Sequence, residues 1–186
     1  IGVVTAIQGI RWYGIEVLGQ EAHAGTSPMK QRKDALKAAA EMVVALEEVM
    51  DDPTDTVRCT FGRFEVFPGS PNTVPGRVFF TIDFRHPDAD SFKEYCIQIE
   101  STCRAHARGC EVKIDYSLDA LPTVFRDDMV ETVHKHTKSL NVPFKVMPSG
   151  GGHDAQNMHR VCPTGMIFVP CKDGISHNEA EYASPG

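Results

Sequence analysis

The segment from Gly69 to Asp88, G-S-P-N-T-V-P-G-R-V-F-F-T-I-D-F-R-H-P-D, constrains the fold of this chain more than any other. Val78, Phe80, Ile82 and Phe84 alternate with Phe79, Thr81 and Asp83, the period of an extended strand. A polar turn presents Asn72 before that strand, and Arg85 emerges at its far end. An arginine held on a rigid strand is suited to gripping a carboxylate through two parallel hydrogen bonds, which a lysine does less well. The same spacing also suits an ordinary surface pair of Arg85 with Asp83 or Asp88.

The elements around that strand suggest an architecture. Residues 10–18 read as a strand carrying Trp12, Tyr13, Ile15 and Val17. From Ala35 to Met50, apolar residues recur at helical spacing, and Asp51-Asp52-Pro53 stops the helix because the residue before proline avoids the helical region. Residues 56–67 read as a second strand, and Asp90 or Ser91 can cap a second helix bearing Phe92, Tyr95, Cys96, Ile99 and Cys103. Residues 111–116 alternate once more. The order strand–helix–strand–strand–helix–strand predicts an α+β, ferredoxin-like unit: an antiparallel sheet with both helices on one face. Beyond Leu121 the style changes to short buried strands, a helix over 127–140 and a glycine loop, which is an α/β pattern. The expected division is 10–117 for a ferredoxin-like insertion, with 1–9 and 118–186 forming part of a second, α/β domain. The chain opens on an apolar strand without an initiator Met, and it is expected to be a piece of a longer protein.

Composition narrows the partners. A net charge of −6 with no basic block disfavours nucleic acid and anionic membrane surfaces. Six cysteines without a C-x-x-C pair point to reduced thiols and a cytoplasmic setting.

Five stretches can carry chemistry. His23, among small residues in G-Q-E-A-H-A-G, is either a projecting functional imidazole or a solvated turn residue. Asn72 either binds a ligand or caps its own turn. Gly150-Gly151-Gly152 can offer backbone N–H groups to an anion or act as a flexible connection. His153-Asp154 reads best as a helix start with Asp154 as the cap. His177 follows the apolar strand over 166–169, at the end where α/β domains place ligands, and imidazole is a common metal ligand. His86, His106, His134, His136 and His159 have only a structural reading, on polar faces or helix ends.

Taken in order, HAG–TSPM, GSPNTVPGRVFFTIDFRHPD, SGGGHDA, PTGMIFVP and GISHNE resemble one family along essentially the whole chain. It is the N-carbamoyl-L-amino-acid hydrolase, β-ureidopropionase and allantoate amidohydrolase group, within the aminoacylase- and carboxypeptidase-like dinuclear metallohydrolases. The resemblance implies a ferredoxin-like lid that also makes a homodimer, a ureido-acid substrate and two divalent metal ions, zinc or manganese, in the full-length parent. It implies that Asn72 and Arg85 hold the substrate carboxylate with backbone of Gly151 and Gly152. His23 would stabilise the oxyanion in the partner subunit's site, and His177 would ligate one metal. The family's other ligands and its general base have no counterpart in these residues. The expectation is a fragment of a metal-dependent amidohydrolase that is inactive alone and binds no metal stably. The alternatives are allantoate amidohydrolase proper and a non-catalytic ferredoxin-like dimerisation or binding module.

Overall fold

A computed structural model describes residues 1–184. In chain order the strands of the first half are β1 (Gly2–Ile7), β2 (Gly9–Leu18), β3 (Ala22–His23), β4 (Arg58–Thr60), β5 (Phe64–Phe67), β6 (Thr73–Val74) and β7 (Arg77–His86). The second half adds β8 (Glu111–Ala120), β9 (Thr123–Val124), β10 (Lys145–Ser149) and β11 (Met166–Phe168). The helices are α1 (Ala35–Val49), α2 (Ala89–Ala105), α3 (Asp127–Ser139) and α4 (Ala155–His159). Two compact units result, one of residues 9–121 and one of residues 1–8 with 122–186. The division lies at Leu121 and not at residue 117 because β8 runs on to Ala120, still paired with β2 at Ile10. Among the described residues no helix is long and apolar enough to cross a membrane.

Residues 9–121 build a sheet in the order β4-β7-β2-β8, every neighbour antiparallel, with β5 also pairing β7. Its core follows from the period of two. Tyr13, Ile15 and Val17 on β2 and Val78, Phe80, Ile82 and Phe84 on β7 are buried together with Ala38, Ala39, Met42 and Leu46 of α1 and Phe92, Cys96, Ile99 and Cys103 of α2. Both helices therefore cover the same sheet face, and the residues of opposite parity face the other way. The strand expected over 56–67 is two strands. Thr60 pairs with Asp83 and Phe64 with Phe80, so Phe61, Gly62 and Arg63 oppose only Ile82 and Thr81, and the extra residue breaks the ladder. The cap of α2 is Asp88, whose carboxylate accepts from the Ser91 N–H at 2.8 Å, in place of the expected Asp90 or Ser91. His86 is buried, not on a polar face; its ring packs against Tyr95 and its Nδ1 accepts from the Asp88 N–H.

In the other unit β1 is central, parallel to β10 and antiparallel to β11 and β9. Val4, Ile7 and Phe125 form its core, with Val130, Ala155, Met166 and Phe168 packed around them. Asp154 starts α4 without a side-chain cap, because its backbone is already helical and not extended as a capping residue requires. The six cysteines are free thiols, and burial pushes those of Cys59 and Cys103 up to about 12.

Two stability experiments follow from this packing. Phe80→Ala empties the centre of the larger core and is expected to cost about 3–5 kcal/mol in urea denaturation, whereas exposed Val44→Ala is expected to cost less than about 0.5 kcal/mol. Asp52 ties the loop after α1 by accepting from Thr54, Thr56 and Val57, and these bonds hold its carboxyl well below the usual carboxylate range. The folded pKa is depressed, so the stabilisation is full above the unfolded value and fades as pH falls through the folded one. Asp52→Asn is expected to be less stable at neutral pH, with the gap to wild type narrowing in acid during pH-dependent unfolding.

Candidate functional site

His23 and Asn72 are brought together by the two-stranded ribbon β3–β6. His23 pairs with Thr73, and the Ala24 N–H donates to the Asn72 carbonyl at 2.9 Å. The His23 Nδ1 accepts from the Gly25 N–H at 3.0 Å, so in the neutral ring the proton sits on Nε2, which is exposed as a donor. Glycine at 25 permits this, since a Cβ there would stand 3.3 Å from the imidazole Cε1. Asn72 turns its Oδ1 onto its own loop, accepting from the Ser70 hydroxyl at 2.7 Å and from the Thr73 hydroxyl at 3.4 Å. Its capping role is thus real, and its amide NH2 makes no hydrogen bond to a described residue. Arg32, which sequence reasoning passed over, pins the loop by donating to the carbonyls of Ala24 at 2.7 Å and Ser27 at 2.9 Å.

Arg85 lies near the other end of β7, on the sheet face away from the helices. Its Nε and Nη2 donate to the two oxygens of Asp83 at 2.9 and 2.7 Å, and this pairing raises the guanidinium pKa further. Arg58 on β4 stands directly opposite Arg85 and is held by Asp55 at 3.0 Å. Two guanidinium side chains facing one another across a ladder repel, and each has its own carboxylate to offset that. The ribbon bearing His23 and Asn72 continues from the Arg77 end of β7, a ten-residue strand about 30 Å long. One copy of this unit therefore does not bring Asn72 and Arg85 onto one small ligand.

In the other unit, Gly151 and Gly152 follow β10 in a loop organised by Ser149, which is 1% exposed. The Ser149 hydroxyl donates to the Gly151 carbonyl at 3.0 Å, accepts from the Gly151 N–H at 3.2 Å and meets the His153 Nε2 at 2.9 Å. A hydroxyl has one proton and two lone pairs, so His153 donates from Nε2 when all three contacts are made. Gln8 adds a bond from its Nε2 to the Gly150 carbonyl at 2.7 Å. The Gly151 N–H is thus engaged within the loop, and the Gly152 N–H makes no hydrogen bond to a described residue. Neither Ser149 nor Gln8 was legible as a site residue; each is a common polar residue whose importance comes from burial.

His177 is exposed, with a left-handed backbone (φ 52°), and its N–H donates to Glu181 at 2.8 Å. Among the described residues no three His, Cys, Asp or Glu side chains come together as a metal-holding group. The donor set of this chain does not fit a two-metal centre by itself.

Residues 14–186 match the model of peptidase family M20/M25/M40, and the chain belongs to that family. It is 34% identical over 98% of its length to an N-carbamoyl-L-amino-acid amidohydrolase of Pseudomonas sp., of which it covers 45%. It is 39% identical over 97% of its length to the allantoate amidohydrolase of Escherichia coli, of which it covers 44%. A crystal structure of a hydantoinase/carbamoylase-family amidase from Burkholderia multivorans superposes with a TM-score of 0.86 at 41% identity, over 99% of this chain and 45% of that one. The chain spans less than half the length of these relatives.

The glycine loop yields its own test. Ser149→Ala removes the acceptor of the Gly151 N–H, worth about 1 kcal/mol. Hydrogen exchange at Gly151 is expected to accelerate several-fold while amides of β2 and β7 keep their protection; an unchanged Gly151 rate would contradict the assignment.

Proposed function

We propose that this chain carries the substrate-gripping elements of an amidohydrolase that cleaves the carbamoyl C–N bond of N-carbamoyl-L-amino acids or related ureido acids. The observation that carries the reading is Arg85. It is a guanidinium fixed by a bidentate partner on a rigid central strand and turned to the face the helices leave open. Relatives named for N-carbamoyl-L-amino acids and for allantoate support this substrate class, since both compounds are carboxylates bearing ureido groups.

In this reading residues 9–121 are a ferredoxin-like lid. The strand order, the antiparallel neighbours and the two helices on one face support it. Arg85 holds the substrate carboxylate, and in the other unit the Gly152 N–H is a donor open to an anion. The Nε2–H of His23 and the amide of Asn72 are donors aimed at an oxyanion, and a donor so placed lowers the barrier by about 3–4 kcal/mol. Because β7 separates them from Arg85 of the same copy, they serve the site of a second copy, and the lid is the homodimer interface. The pair of zinc or manganese ions implied by the resemblance belongs to the whole enzyme. His177 alone does not hold it, so the roles assigned to this chain are binding and orientation, and the chain is expected to be inactive alone. The setting is cytoplasmic, as its reduced thiols suggest.

Isothermal titration of the 186-residue chain with N-carbamoyl-L-alanine tests the reading. Arg85→Ala is expected to weaken binding about 10- to 100-fold, the scale of a charge-assisted hydrogen-bonded pair, with Arg85→Lys in between. Equal affinity in all three proteins would refute the assignment.

A further inference from the structure

The sheet face away from α1 and α2 holds a cavity of about 280 Å³ bounded by Trp12, Thr60, Thr81, Asp83 and Ser117. The register explains why these five converge. Thr60, Asp83 and Trp12 are direct partners on β4, β7 and β2, so their side chains share one face. Thr81 lies two residues before Asp83 and points the same way. Ser117 is the extra residue of β8 where its pairing with β2 shifts between Trp12 and Tyr13, and a bulge of that kind re-aims a side chain.

The polar groups of the cavity lack protein partners. Among the described residues, the hydroxyls of Thr60, Thr81 and Ser117 and the indole N–H of Trp12 make no hydrogen bond to another group of the protein. Each Asp83 oxygen accepts one of these bonds from Arg85 and keeps a second lone pair. The Trp12 ring, 44% exposed, supplies a flat wall. An anion is disfavoured here by Asp83, and an aliphatic group would strip water from three hydroxyls and a carboxylate without replacing it. A planar group that donates N–H and accepts at a carbonyl offers a donor to the carboxylate and an acceptor to the hydroxyls at once. The Asp83 row lies one repeat from the Arg85 row, about 7 Å along β7, within the span of a small acid and its hydrogen bonds.

We propose that this cavity is a subsite for a neutral, planar, N–H-rich group, a carboxamide or second ureido group, on a ligand whose carboxylate is held at Arg85. Thr60, Thr81 and Asp83 are then specificity-determining residues. The proposal rests on the carboxylate-binding reading of Arg85, and the experiment separates the two.

Two nearly isosteric probes, N-carbamoyl-L-asparagine and N-carbamoyl-L-leucine, are titrated into the full chain by calorimetry. The indole N–H resonance of Trp12, the single tryptophan, reports on the cavity. The asparagine derivative is expected to bind about tenfold tighter and to move the Trp12 signal, as N-methylurea alone also should. Thr81→Val and Thr60→Val should each bring the ratio of affinities towards one without weakening the leucine derivative. If Arg85→Ala leaves affinity unchanged while N-methylurea still moves the Trp12 signal, the carboxylate reading fails and the subsite stands. If Arg85→Ala abolishes binding but both probes bind alike and the Trp12 signal stays still, the carboxylate reading stands and the subsite is overturned. A still Trp12 signal with every probe overturns the subsite whatever Arg85→Ala does.

Discussion

The antiparallel ladder between β2 and β7, unbroken from Gly9–His86 to Leu18–Arg77, decides what this protein can present. It sends Val78, Phe80, Ile82 and Phe84 into the helices and turns Phe79, Thr81, Asp83 and Arg85 to the opposite face. A slip of one residue would bury Arg85 and Asp83 in an apolar core and expose four large side chains, so the hydrophobic effect itself fixes the register. The functional face is thus a by-product of the core: the arginine is where it is because four apolar neighbours of opposite parity are buried.

Asp83 has two tasks in that arrangement. Its bidentate pair with Arg85 holds a long, rotamer-rich side chain in one orientation, so a ligand meets a guanidinium that has already lost its freedom. The same carboxylate forms part of the cavity next to Arg85. A comparable economy operates at His23 and at Ser149. In each, one hydrogen bond to a backbone group in a glycine-containing turn sets which ring nitrogen or which N–H remains outward. These are preorganised donors, and their value lies in needing no rearrangement when charge appears.

Much of this was legible in the sequence, for identifiable reasons. Strict alternation over 78–84 and the helical spacing over 35–50 mark long elements whose two faces differ sharply in polarity, and both formed as expected. The break between β4 and β5 had a local mark in Gly62, the kind of residue a bulge leaves inside a strand, but the two-against-three opposition at Phe61–Arg63 is a relation between strands that spacing alone does not show. Asp88 was missed as the cap of α2 because Asp90 and Ser91, two and three residues nearer the apolar spacing, have equally suitable chemistry. The motif residues His23, Asn72, Arg85, Gly151, Gly152 and His177 were each named from sequence. Their grouping was not: that Asn72 sits with His23 and lies a strand's length from Arg85 depends on pairing that the order of residues does not contain. Arg32, Gln8 and Ser149 stayed hidden because their roles arise from burial and from bonds to main-chain carbonyls.

The account stands on Arg85 meeting a ureido acid through its carboxylate, and the guanidinium can be observed directly. In a ¹⁵N-labelled chain titrated with N-carbamoyl-L-alanine, the Nε–H resonance of Arg85 is expected to shift progressively and saturate with the binding isotherm, while that of Arg77 at the far end of the same strand stays in place. Saturable binding with an Arg85 resonance that does not move would contradict it.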